Sequence, residues 1–85
     1  MAMETYVLDS GFDPRVTRDS PACLVRAVCS AESRMAAVTV MRRHGILGVS
    51  TKHVRRRGDD TDIPQPAPGE VWVQPVEVDA AWSMR

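Results

Sequence analysis

The sequence lacks net charge: 11 basic side chains are balanced by 11 acidic ones across 85 residues. No global field therefore draws the chain to nucleic acid or to an anionic membrane. Long apolar runs are missing as well, with none near the ~20 residues that span a bilayer. The opening Met1-Ala2-Met3-Glu4-Thr5-Tyr6 has no basic region followed by a hydrophobic one, so no secretory signal is expected and the chain reads as cytoplasmic. Cysteine is scarce. Cys23 and Cys29 stand ~20 Å apart on a strand, or ~9 Å apart on a helix, and both exceed the ~7 Å limit for a disulfide. They are expected as free thiols. Ten of the 11 basic residues are Arg, a bias that a GC-rich coding genome explains as well as function does.

What is present is enough for one domain over residues 1–85. Hydrophobic content of 44% is too high for a disordered chain. A chain this short buries about 60–65% of its unfolded surface. The stretch from Ser30 to Gly45 reads as the one helix. Ser30 suits the N-cap, Glu32 the positive end of the helix dipole, Arg42, Arg43 and His44 the negative end, and Gly45 a left-handed closing residue. Ala31, Met35, Val38 and Met41 give it an apolar stripe.

The flanks read as strands: Glu4–Asp9, Val49–Arg56 and Glu70–Val78, with Phe12–Arg15 as a turn. Ala22–Cys29 is either a strand or the first turns of a longer helix. The strand reading is preferred because a continuous helix leaves Ser30 and Glu32 without a role. Ile46 and Leu47 form an apolar anchor after the helix. Residues 58–69 form a loop with Asp59, Asp60, Asp62 and Pro64 as turn signals, stiffened by Pro66 and Pro68. Residues 79–85 form a tail. Pro75 has no amide hydrogen, which places the last strand at a sheet edge or bends it. The expected fold class is α+β, a small antiparallel sheet with one helix packed on a face in ββαββ order.

Arg55-Arg56-Arg57 is the one basic cluster, and on a strand Arg55 and Arg57 share a face and could grip successive phosphates. Against that, Asp59, Asp60 and Asp62 follow at once, and the charge balance is zero. Arg57-Gly58-Asp59 spells an integrin-type tripeptide, expected to be a coincidence because no secretory signal is expected. Cys23, Cys29, His44 and His53 lack the short spacings of a metal site. Asp60-Thr61-Asp62 lacks the glycine and closing glutamate of a calcium loop. No nucleophile elbow or Gly-rich loop organises the Ser, Cys, His and Asp residues, so neither catalytic residues nor cofactors are assigned. Trp72 and Gln74 share one face of the last strand. Trp72 is then either an interface anchor on the open face or covered by Trp82 and the tail.

The run Leu24-Val25-Arg26-Ala27-Val28-Cys29-Ser30-Ala31-Glu32-Ser33-Arg34-Met35-Ala36-Ala37 through Val54, read as strand-turn-helix-strand, resembles a module of small phage-encoded proteins. Some of these are anti-CRISPR inhibitors built as a sheet plus one helix. No motif aligns residue by residue, so no contact residues carry over. The resemblance implies a non-catalytic protein that occupies a surface on a larger machine. The first expectation is thus an interaction module inhibiting a host nucleic-acid-handling complex such as CRISPR-Cas, with Trp72, Gln74 and Arg55–Arg57 at the interface. Two alternatives stand beside it: a direct nucleic-acid binder using Arg55–Arg57, and a small structural subunit that dimerises through its edge strand. The assembly is a monomer or a homodimer.

Overall fold

The structure, a computed structural model, describes residues 3–17 and 23–77. Six elements follow in order: β1 (Glu4–Gly11), α1 (Pro14–Thr17), β2 (Cys23–Ala31), α2 (Arg34–Arg43), β3 (Val54–Arg56) and β4 (Val71–Glu77). The strands form one antiparallel sheet in the order β3-β1-β2-β4, with α2 across one face. The α+β class and the strand reading of 22–29 hold, the latter from Cys23 onward.

Strand alternation sorts the side chains onto two faces. Tyr6 and Leu8 of β1, Ala27, Cys29 and Ala31 of β2 and Val54 of β3 meet Ala37, Val38 and Met41 of α2 in the main core, with Ile46 and Val49. On the opposite face Val7 and Val28 pack with Ile63 and the half-buried Trp72. A bulge separates Leu8 from Gly11. A Cβ on Gly11 would lie 2.7 Å from Leu8 Cδ2 and 3.1 Å from Ile46 Cγ2, so a larger residue there displaces buried side chains.

Several boundaries move. β2 continues through Ser30 and Ala31, and the helix cap is Ser33, whose side chain accepts from the Ala36 amide at 3.1 Å. Ser30 is thus a strand residue and Ala31 a core residue of the sheet. Met35 leaves the stripe as well, at 70% exposure. A three-residue step precesses about 60° on an α-helix, so Met35 sits about 120° from Met41, while Ala37 shares its face. The C-terminus closes as expected: Gly45 has φ 96°, its amide donates to Arg42 O, and the Ile46 amide donates to Met41 O. This is the paired closure of a Schellman turn, with Ile46 buried beside Met41.

The third strand shrinks to three residues, because Ser50 and His53 close a turn through His53 N to Ser50 O and a 2.8 Å contact of Ser50 Oγ with His53 Nδ1. Phe12–Arg15 is not a simple turn. Asp13 accepts from the Arg15 amide and Pro14 opens the short α1, the cap-then-proline start of a helix. β1 runs two residues past Asp9, and β4 is described from Val71 to Glu77. Trp82, Val78 and the tail lie outside the described residues.

Candidate functional site

The expected interface residues do not form one patch. Arg55 lies on the face away from α2 and Arg56 on the face of α2, as alternation demands. Each is also engaged. Arg55 donates through Nε to Asp9 Oδ2 at 2.7 Å and through Nη2 to Asp9 Oδ1 at 3.2 Å. Arg26 approaches the same carboxylate from β2, its Nε 3.3 Å from Asp9 Oδ1 without hydrogen-bond alignment. The bonded Arg55 guanidinium holds the Asp9 carboxyl below its ordinary range, and Arg26 adds to the effect. Arg56 pairs with Glu4 at 3.0 Å, and Glu4 also accepts from the buried Tyr6 hydroxyl at 3.2 Å.

Arg57 turns back on its own loop, donating to the carbonyls of Ile63 and Gly58. It pins the segment that covers the sheet face opposite α2. Ser30 supplies a second pin, its hydroxyl donating to Pro66 O at 2.6 Å. Between these two points Ile63 is fully buried against Val7, Val28 and Trp72. Trp72 therefore does lie on the face away from the helix, and among the described residues Ile63 is what covers it. No local signal announces that role, because a lone isoleucine among Asp, Pro and Gly matches no periodic pattern.

The cover stops partway along the outer strand, at Trp72. Gln74 and Val76 of β4 are exposed on the same face as Trp72, with Arg26 and Leu24 half-buried beside them on β2. β4 is an edge strand, in agreement with the meaning of Pro75. A second apolar feature escaped the sequence reading. Phe12 and Leu47 are 45% and 55% exposed, held side by side by Phe12 N to Leu47 O at 3.0 Å and Leu47 N to Phe12 O at 2.7 Å. Only the chance pairing of a turn with a post-helix segment brings them together, which no local pattern announces.

Nothing among the described residues organises chemistry. The Ser50–His53 contact sits on an exposed turn, and no third group orients the imidazole. Burial pushes the Cys29 thiol up to about 11, so it is protonated and a poor nucleophile at neutral pH. No group of three or more His, Cys, Asp or Glu side chains could hold a metal ion among these residues. A shallow cleft of about 370 Å³ beside Met3, Thr5 and Gln65 is lined by Glu4, Arg56 and Arg57; Glu4 pairs with Arg56, and Arg57 is spent on backbone carbonyls. No described helix is long and apolar enough to cross a membrane. No known protein family, curated protein or solved structure matches the chain.

Proposed function

We propose that this chain is a non-catalytic protein-interaction module. The observation that supports it is the incomplete cover of the sheet: Gln74 and Val76 stand open beside Trp72 on a strand whose outer edge is unpaired among the described residues. An exposed valine and an exposed amide on a strand next to a half-buried tryptophan suit protein docking. Phe12 and Leu47 add a second rigid apolar contact. The narrower reading, a phage or mobile-element inhibitor of a host complex such as CRISPR-Cas, rests on the strand-turn-helix-strand resemblance alone. The nucleic-acid reading loses ground, because Arg55, Arg56 and Arg57 are each committed to a partner within the chain.

The test is to add the purified protein to a reconstituted CRISPR-Cas effector and follow target binding and cleavage. Stoichiometric inhibition that Val76→Asp or Gln74→Lys abolishes supports the inhibitor. These exposed positions are cleaner probes than Trp72→Ala, which also empties the packing around Ile63. No effect on the effector removes the narrower reading. Binding of naked duplex or single strands tighter than about 1 µM at physiological salt replaces the protein-docking reading with direct nucleic-acid binding.

A further inference from the structure

The two edges of the sheet differ. β3 is three residues long, carries Arg55 and Arg56, and is blunted by length and charge. β4 has no charged side chain from Val71 to Val76. The phase of its backbone follows from one bond, the Arg57 amide to Thr5 O at 2.8 Å. In an antiparallel ladder hydrogen-bonded and non-bonded pairs alternate. Thr5 and Val7 therefore turn their amides to β3, and Tyr6 and Leu8 turn theirs to β2. Carried through Tyr6↔Cys29 and Val28↔Trp72, this points the backbone groups of Trp72, Gln74 and Val76 inward. Those of Val71 and Val73 point outward, together with the carbonyl of Pro75, whose missing N–H costs the sheet no bond.

We propose that this edge pairs with a second copy of the chain, antiparallel about a two-fold axis through Trp72. In that register Val71 faces Val73 of the other copy, and both residues exchange N–H···O bonds, four in all by the alternation rule. Trp72 faces its own counterpart in the closely spaced non-bonded pair, where aromatic side chains gain most from contact. Glu70 meets Gln74, so no like charges oppose each other. Other registers fare worse. Centring on Val73 or Gln74 sets the proline ring of Pro75 against a partner carbonyl that needs an N–H. Centring on Val71 demands an extended Gly69, which has φ 85°. Pro75 thus ends the ladder on one side and Gly69 on the other, and the pairing is self-limiting. The two helices fall on the same face, and the two open faces join into one surface.

So short a pairing buries less than a standard interface, so the dimer forms at concentrations on the order of 100 µM. Sedimentation of the whole chain from about 1 µM to about 1 mM reads the equilibrium, with a rise from monomer to dimer mass expected. Val73→Pro strips one outward amide per copy and no bond of the sheet, and should weaken association about tenfold or more. The register is read by disulfides in a Cys23→Ser background. Glu70→Cys and Gln74→Cys are both exposed, and neither faces itself, so each alone should stay uncross-linked. An oxidised equal mixture of the two should give a covalent heterodimer. Monomer mass throughout overturns the proposal, as does cross-linking of either single variant with itself. A chain that stays monomeric yet docks on a protein target would lose this inference and keep the proposed function.

Discussion

On one face of the sheet a ten-residue helix lays Ala37, Val38 and Met41 over five residues of the two central strands. On the other face one isoleucine covers Val7, Val28 and part of Trp72, held by a loop that Arg57 and Ser30 fasten at two points. The first cover is cooperative: helix hydrogen bonds, caps and side-chain packing form together or not at all. The second depends on one apolar plug and a few single bonds, and it leaves β4 half bare. Stability belongs to the helical face, and the docking proposed above uses the loop-covered one. A fold this small has a total stability of about 4–13 kcal/mol, which makes the difference measurable.

The largest expected effect comes from the helical face. Val38→Asp buries a charge at a position 5% exposed, between helix and sheet. An unpaired buried charge costs about 3–5 kcal/mol, which matches the whole stability at the lower end of the about 4–13 kcal/mol range. Circular dichroism should show no cooperative thermal transition. A transition close to that of the wild type would mean the helix does not seal this face.

Ile63→Ala should cost less, about 2 kcal/mol, because a surface loop can settle into the space that a helix could not. Its signature is optical. In a Trp82→Phe background the emission of Trp72 should shift to the red as water reaches the ring. Unchanged emission together with unchanged stability would put the loop off the sheet and erase the contrast between the faces.

Much of the helical face was legible in the sequence, and little of the other. Gly45, the basic last turn and the apolar spacing of Val38 and Met41 are local signals, and the structure uses them locally. Ser30 misled because a serine hydroxyl caps a helix or binds a distant carbonyl equally well. Here β2 runs two residues beyond the expected end at Cys29 and carries Ser30 onto the face where Pro66 waits. Ile63 was invisible for a related reason. Its role follows from 35 residues of separation between Val28 and the loop, and no periodicity reports on that. Alternation alone separates Arg55 from Arg56, but the partners Asp9, Glu4 and Ile63 that engage the three arginines come from other parts of the chain.

Arg57→Ala refines the contrast further. It removes a side-chain bond to Ile63 O and another to Gly58 O while leaving the isoleucine in place. The cost should be about 1 kcal/mol. Hydrogen exchange should locate it: the Ile63 amide, bonded to Asp60 O, and its neighbours should exchange faster. Amides of Tyr6, Leu8 and Ala27 should keep their relative protection. A uniform loss across the sheet would show the loop and the helix to be one cooperative unit.

The smallest effect separates the faces by pH. Each has a carboxylate held below its ordinary range by an arginine. Asp9, on the loop-covered face, is bonded to Arg55, and Asp13 is bonded to Arg15, whose Nη2 also donates to His44 O at the end of α2. A carboxyl whose folded value is depressed binds fewer protons than in the unfolded chain. Its contribution is therefore complete above about pH 4 and is lost as pH falls through the folded value. The Asp9 side chain is 41% exposed, so solvent screening keeps its share within the about 0.2–1 kcal/mol of surface pairs. Asp13 is 2% exposed and also accepts the Arg15 amide that opens α1, so Asp13→Asn should cost more than Asp9→Asn at pH 7. Urea midpoints at pH 7 and pH 2.5 distinguish the cases. Both variants should lie below the wild type at neutral pH and draw closer to it in acid. A deficit for Asp9→Asn as large at pH 2.5 as at pH 7 would mean that its charge, and with it the Arg26–Asp9–Arg55 bridge across three strands, contributes nothing to the face that the helix leaves open.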